Sequence, residues 1–178
     1  MKRRIVSMKK SVLVSVAVVM CLIFTSCGAG NVGVSSSAKK TSSSVSSQVS
    51  DNDVDDTLGG LQTYMKKAIG LSGSATNMLA NIIGAKSGVK YVYGHNGKNN
   101  ITVEFYSFDP SNLNDTAKKV IASVKKNGYF TIMDKNINAA MSDSGKYMMI
   151  YTNSATDKDN KSYDENVLKF FKEFKAEG

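Results

Sequence analysis

The chain has 178 residues and a hydrophobic content of 42%, which suits a single domain with its own core rather than several. Five cations lie ahead of residue 11, and without them the formal net charge of +8 falls to +3, from 18 lysines and 15 acidic residues. The only arginines, Arg3 and Arg4, lie in this leader. Since arginine is the side chain best suited to forked phosphate and base-edge contacts, the composition argues against a nucleic-acid partner.

The first 26 residues have the pattern of a secretory signal peptide. The cationic head is Lys2, Arg3, Arg4, Lys9 and Lys10, and residues 12–24 form the apolar core that follows. This core is shorter than the roughly 20 residues of a membrane-spanning helix, so we expect it to be removed rather than to remain as an anchor. Met8 is a second candidate start site, because a charged head and the same core follow it.

The end of this segment, Phe24-Thr25-Ser26-Cys27-Gly28, resembles the lipobox of bacterial lipoproteins, although Phe24 replaces the usual leucine. The resemblance implies that Cys27 is acylated and becomes the new N-terminus, so that the chain is held at the extracytoplasmic face of the cell membrane. Each buried methylene of an acyl chain contributes about 0.8 kcal/mol to this attachment. The alternative is a plain secretory signal with an incidental cysteine. Cys21 lies in the leader, so an acylated Cys27 leaves no thiol for a disulfide, a nucleophile or a metal site.

Residues 27–56 are predicted to be a flexible linker, and residues 57–178 a globular domain. Residues 28–50 are rich in serine and too poor in apolar side chains to be buried. The acidic run at residues 51–56 is interpreted as favouring the N-terminus of the next helix. A calcium loop fits this run less well, because Asp56 stands where an EF-hand loop requires glycine.

Two short amphipathic helices are predicted first, followed by a β-hairpin. The apolar stripes of the helices are Leu58, Leu61, Met65 and Ile69, and then Met78, Leu79, Ile82 and Ile83. Asn96-Gly97 lies between two segments of period two and predicts a two-residue hairpin turn. That turn pairs His95 with Lys98 and Val92 with Ile101. One face of the hairpin then receives Val92, Ile101, Val103 and Phe105, and the other receives Tyr91, Tyr93, Thr102, Glu104 and Tyr106.

A helix is predicted to start at Asp109-Pro110, with a buried stripe, and to end near Gly128. The stripe is Leu113, Ala117, Val120, Ile121 and Val124. A short strand at residues 129–133 precedes a second hairpin, whose turn is Ser144-Gly145. This turn places Ile137, Ala139, Met141, Met148 and Ile150 on one face and Tyr147, Met149 and Tyr151 on the other.

The last predicted helix starts at the capping box Ser162-Tyr163-Asp164-Glu165 and buries Val167, Leu168, Phe171 and Phe174. Residues 153–161 before it are interpreted as a polar loop. The resulting element order is ααββαβββα. We therefore predict an α+β fold, a two-layer sandwich in which helices pack on one face of an antiparallel sheet of four to five strands.

The candidate binding surface is the sheet face on which these hairpin registers gather tyrosines. Its residues are Tyr91, Tyr93, Glu104, Tyr106, Tyr147, Met149 and Tyr151. Tyrosine joins a large apolar body to a polar tip and is favoured at recognition surfaces, so this face is a candidate site for an envelope protein, a peptide or a glycan. Two alternatives are that the helices of residues 58–84 cover it, or that tyrosine is there only for its strand propensity.

The sequence contains no recognisable catalytic motif, metal-ligand spacing or cofactor-binding motif. His95 is alone and next to a predicted tight turn, without an evident nucleophile. Glu104, Asp109, Asp134 and Asp143 are carboxylates that folding could bring together. The leading hypothesis is a lipid-anchored, non-enzymatic binding or accessory module for a cell-envelope or extracellular partner. The alternatives are a carboxylate-based envelope hydrolase, and an inhibitor or immunity lipoprotein that inserts the loop at residues 153–161 into an enzyme.

Overall fold

The computed structural model describes residues 49–176, so the predicted signal peptide, Cys27 and most of the predicted linker lie outside the described residues. Along the chain the elements are α1 (Leu58–Ile69), β1 (Thr76–Asn77), a 3₁₀ turn (Ala80–Ile83), β2 (Ser87–Tyr93), β3 (Ile101–Ser107), α2 (Asp115–Asn127), β4 (Tyr129–Ile132), β5 (Lys135–Asn138), β6 (Ala140–Met141), β7 (Tyr147–Asn153) and α3 (Lys158–Glu173). The predicted α+β class with an antiparallel sheet is confirmed.

Five strands form one antiparallel sheet in the order β1-β2-β3-β7-β6, and β4 and β5 form a separate two-stranded hairpin. Helices lie on both faces of the sheet, whereas the sequence predicted them on one. One hydrophobic cluster joins the sheet to α1 and α3, and a second joins the opposite sheet face to α2 and the β4–β5 hairpin. Two hydrophobic cores, one on each face, therefore share a single sheet.

The first predicted helix is confirmed as α1, and the second is only the 3₁₀ turn. Thr57 caps α1 by accepting a hydrogen bond from Gly60 N, and Gly70 ends it in the left-handed region at φ 70°. The second stripe has no room to become an α-helix. Thr76–Asn77 is occupied by pairing with β2, and Gly84 stops the turn at φ 73°.

The predicted register of the first hairpin is wrong by one residue. Val92 pairs with Thr102, and the loop between β2 and β3 runs over the seven residues 94–100. The amide of Asn100 closes this loop, since it accepts from His95 N and donates to His95 O, both at 3.2 Å. The loop is thus closed by a side chain instead of a tight turn. Because the register is shifted by one residue, each side chain of β2 lies on the opposite sheet face, relative to β3, from the one predicted.

The register of the second hairpin is confirmed. Met141 pairs with Met148 around Ser144-Gly145, and Gly145 adopts the left-handed conformation, at φ 73°, that glycine tolerates best. The strand before the turn is divided, however, because β5 leaves the sheet to pair with β4. Their two-residue turn is Met133-Asp134, with φ of 47° and 61°, a conformation that glycine or asparagine adopts more readily.

Two predicted helix starts are wrong. α2 begins at Asp115 behind the cap Asn114, while Asp109 instead closes a local turn onto Ser111. α3 begins at Lys158 behind the cap Asp157, whose carboxylate accepts from the N–H groups of residues 159 and 160. The predicted loop at residues 153–161 is therefore reduced to residues 154–157. The predicted end of α2 at Gly128 is confirmed.

A buried amide network anchors the β2–β3 loop to α3. Asn160 is fully buried; its carbonyl oxygen accepts from Asn100 at 3.2 Å and from Asn153 at 3.0 Å. Its amide nitrogen donates to Asp157 at 2.7 Å. Each polar group has a partner, so the network fixes this end of the sheet rather than offering open ligand positions.

Residues 51–56, which the sequence predicts to be part of the linker, contact the domain. Asp56 pairs with Lys146 and accepts from the Tyr147 hydroxyl at 2.8 Å, and Asp51 accepts from Lys175 N. Burial alone would raise the pKa of Asp56, but the hydrogen bonds from Lys146 and Tyr147 lower it below the usual value. The acidic run therefore bridges to β7 and the end of α3.

Candidate functional site

Five of the seven residues of the predicted binding face share one sheet face, but α1 and α3 cover it. These are Tyr91, Tyr93, Tyr147, Met149 and Tyr151, and we call the sheet face that carries them the covered face. Tyr91 is 1% exposed and Met149 is 3% exposed. Tyr93 and Tyr147 are buried as well, and only Tyr151 is half-buried, so the expectation of one accessible tyrosine surface is wrong.

The tyrosine hydroxyls on the covered face are all engaged within the domain. Tyr91 donates to Gln62 of α1 at 2.6 Å, and Tyr151 donates to Asp164 of α3 at 2.6 Å. Tyr163 donates its hydroxyl proton to the carbonyl oxygen of Ile69 at 2.9 Å, so Tyr93 is the donor in its hydrogen bond with Tyr163 at 3.1 Å. Burial, and then the hydrogen bond to Asp164, raises the pKa of Tyr151 well above its ordinary value. These tyrosines are therefore packing residues with polar tips that fix the helices in place.

The other two residues, Glu104 and Tyr106, lie on the opposite face of the sheet, which we call the half-open face. Its side chains form three rows across β2, β3 and β7: Gly88, Tyr106 and Met148; Lys90, Glu104 and Ile150; and Val92, Thr102 and Thr152. Side chains of the first row are buried, those of the second are half-buried, and Val92 in the third is 45% exposed. α2 thus closes only one end of this face.

The uncovered part of the half-open face forms the floor of an apolar groove of about 630 Å³. One wall is the segment 77–83 with the 3₁₀ turn, and the other is the β4–β5 hairpin. The lining residues are Asn77, Met78, Leu79, Ile82, Ile83, Glu104, Tyr106, Phe130, Ile132, Ile137, Ile150 and Thr152. Leu79 is 76% exposed and Ile82 is 58% exposed. Large apolar side chains gathered at such exposure are typical of an interaction surface.

Further apolar side chains extend the surface beyond the groove itself. Met133, at the tip of the β4–β5 hairpin and next to the groove residue Ile132, is 90% exposed. Four of the five large apolar residues that are exposed within residues 49–176 belong to the half-open face or to the elements flanking it. They are Leu79, Ile82, Val92 and Met133. The fifth, Leu168, lies on α3, which packs on the covered face.

The floor of the groove depends on a close approach between Tyr106 and Gly88. A Cβ atom at Gly88 would lie 2.6 Å from two ring carbons of Tyr106. Only glycine therefore allows the ring to lie flat on the sheet, where its hydroxyl donates to Glu104 at 2.8 Å. Burial and this hydrogen bond raise the pKa of Tyr106 well above its ordinary value, so the hydroxyl keeps its proton and remains a donor.

The histidine and the four carboxylates that the sequence offers as candidate catalytic residues do not lie together in one site. Glu104 lines the groove, Asp109 a cleft beside the start of α1, and Asp143 a cleft beside the end of α2, while Asp134 lies in the β4–β5 turn. His95 stacks on Tyr163 with ring centroids 3.9 Å apart. Within residues 49–176, no three histidine, cysteine or acidic side chains are grouped as ligands for a metal ion.

Comparison of the chain with protein-family models, with curated proteins and with solved structures finds no match. The described part of the chain contains no helix long and apolar enough to cross a membrane.

Sequence reasoning missed most of the groove because its walls come from distant segments. Leu79 and Ile82 were assigned to the buried stripe of a helix, and the hairpin that carries Ile132 was not predicted. One signal was present: the second hairpin register placed Ile137 and Ile150 on one face, and both line the groove. It did not show that this face stays partly open.

Proposed function

We propose that this chain is a lipid-anchored, extracytoplasmic and non-enzymatic binding module, which holds a partner in the apolar groove of its half-open face. The observation that carries the proposal is the groove of about 630 Å³ with Leu79 and Ile82 exposed at its wall. Burial of apolar surface contributes about 25 cal/mol of free energy per Å². A partner that covers these side chains therefore gains this free energy on binding.

The lipobox-like pattern at Cys27 and the serine-rich segment after it support the anchored part of this proposal. A flexible chain of about 20 residues has a mean span on the order of 25 Å. The domain would thus remain near the membrane surface while its groove is free to meet a partner from the envelope or the surroundings.

The two alternative functions gain no structural support. The carboxylates suggested for a hydrolase lie at separate surfaces, and a loop for inhibition would have to be residues 154–157 alone. The groove is favoured because Leu79 and Ile82 in its wall are exposed.

The groove can be tested in cells that produce the protein by placing a photo-cross-linking amino acid at Ile82. The matched control is Leu168, an exposed leucine on α3. We expect a discrete adduct from position 82, none from position 168, and loss of the adduct when Leu79→Ser is added. Equal adducts from both positions, or an adduct unaffected by Leu79→Ser, would contradict a groove-bound partner.

The anchor is tested separately by metabolic labelling with palmitate. We expect label and membrane fractionation for the wild-type chain and loss of both for Cys27→Ser, because the thiol is the acyl acceptor in the lipobox pattern. Membrane attachment that persists in Cys27→Ser would overturn the lipid anchor while leaving the groove proposal intact.

A further inference from the structure

Glu104 is the single charged side chain among the described residues that line the groove. It stands at the centre of the floor, between Lys90 on β2 and Ile150 on β7 in the middle row of the half-open face. Only 16% of its side chain is exposed. A carboxylate in this position is partly desolvated and directs its charge towards whatever occupies the groove.

The hydrogen bonding of Glu104 is incomplete. Oε2 accepts from the Tyr106 hydroxyl, while Lys90 Nζ lies 3.8 Å from Oε1, beyond hydrogen-bonding distance. Among residues 49–176, no other donor reaches this carboxylate. Since an ionised carboxylate accepts about four hydrogen bonds, Oε1 keeps acceptor positions beside the Lys90 ammonium that water or a ligand can fill.

This incomplete bonding determines which partner the groove favours. A purely apolar partner would strip water from Oε1 and leave it only the long ion pair with Lys90 at 3.8 Å. An anionic partner would add repulsion. A cation flanked by apolar groups would instead form a short charge-assisted hydrogen bond to Oε1 while its neighbours cover the apolar walls.

Resting on the function proposed above, we propose that the groove binds a protein segment in which a lysine or arginine stands between apolar residues. The cation pairs with Glu104, and the flanking side chains pack on Leu79 and Ile82 at one wall and on Ile132 and Ile137 at the other. Acyl chains of lipids fit the walls but leave Glu104 unsatisfied, so the carboxylate favours a peptide over a membrane lipid.

The test uses three fluorescein-labelled, end-capped peptides of sequence Ile-Ser-Leu-Ser-X-Ser-Leu-Ser-Ile, in which X is lysine, norleucine or glutamate. They are titrated by fluorescence anisotropy against the chain from Gly28 onwards, which retains both hydrophobic clusters complete. A charge-assisted hydrogen bond corresponds to about tenfold to a hundredfold in affinity, so the lysine peptide should bind that much more tightly than the norleucine peptide.

Two charge variants separate Glu104 from general electrostatics. Glu104→Gln keeps an acceptor for Tyr106 and should remove the preference for lysine while retaining the norleucine peptide. Glu165→Gln removes an exposed carboxylate from α3 and should leave the preference unchanged. Unaltered preference in Glu104→Gln, or its loss in Glu165→Gln, would overturn the role of Glu104.

The remaining outcomes separate this inference from the proposed function. Equal binding of all three peptides, weakened by Leu79→Ser, would overturn the basic partner and leave the groove as a binding site. Leu79-dependent binding to phosphatidylglycerol vesicles without peptide binding would overturn a protein segment in favour of lipid. No binding of peptides or vesicles would overturn the inference, while the cross-linking at Ile82 decides the proposed function.

Discussion

The two faces of the central sheet use the same three strands and yet end in opposite states. On the covered face, α1 and α3 bury aromatic side chains and each tyrosine hydroxyl described above has a partner inside the domain. On the half-open face, α2 covers one row, and burial decreases from Tyr106 to the exposed Val92. The comparison teaches that tyrosine content does not identify the accessible surface here; missing cover does.

The largest expected effect comes from the covered face. Phe105 is fully buried and packs 6.0 Å from the ring of Phe171, so Phe105→Ala should lower the free energy of unfolding by about 3–5 kcal/mol. Val92→Ala, on the half-open face, should lower it by less than about 1 kcal/mol. Urea unfolding of both variants measures the contrast. Similar losses would mean that the two faces are equally covered in solution.

An intermediate effect is expected in the row of the half-open face that α2 covers. Gly88→Ala places a methyl group against the Tyr106 ring and should lower the free energy of unfolding by about 1–3 kcal/mol. In a Tyr106→Leu background the flat ring is gone, so the same change should be better tolerated. Urea unfolding of the four chains gives this coupling. Additive effects would show that the ring does not lie over Gly88.

The smallest effect concerns the contact between residues 51–56 and the sheet. The pKa of Asp56 is lowered in the folded chain, so its ion pair contributes its full stability at pH values above the ordinary pKa of 3.8. This contribution is lost as the pH falls through the lowered pKa. Partly exposed pairs contribute less than about 1 kcal/mol. Thermal unfolding between pH 7 and pH 2 should therefore drop more steeply for the wild type than for Asp56→Asn. Parallel curves would contradict the pairing.

Much of the fold could be predicted because local pattern and tertiary structure agree. Short segments of the sequence are sufficient to predict the turn at Gly145, the apolar spacing of α1 and α2, and the end of α2 at Gly128. The β4–β5 turn was missed because Met133 and Asp134 are unusual at positive φ. The first hairpin was misregistered because the Asn100 side chain, rather than Asn96-Gly97, closes the loop.

The candidate site was harder to predict than the fold. A one-residue slip in β2 was sufficient to separate Glu104 and Tyr106 from the tyrosines they were grouped with. The openness of a sheet face depends on where distant helices dock, and no local pattern records that α2 stops short of Val92. Predicting the alternation within a strand therefore does not reveal which face remains accessible.

The exposure of Met133 makes the hairpin tip sensitive to oxidants. Thioether sulfur is oxidised to the sulfoxide, which replaces a flexible apolar side chain with a polar one. Met65 and Met148 are fully buried, whereas Met133 is 90% exposed, so peroxide should reach it well before them. A bound partner that covers the hairpin would slow this reaction. The oxidation rate of Met133, followed by mass spectrometry, would thus report occupancy of the groove without any added label.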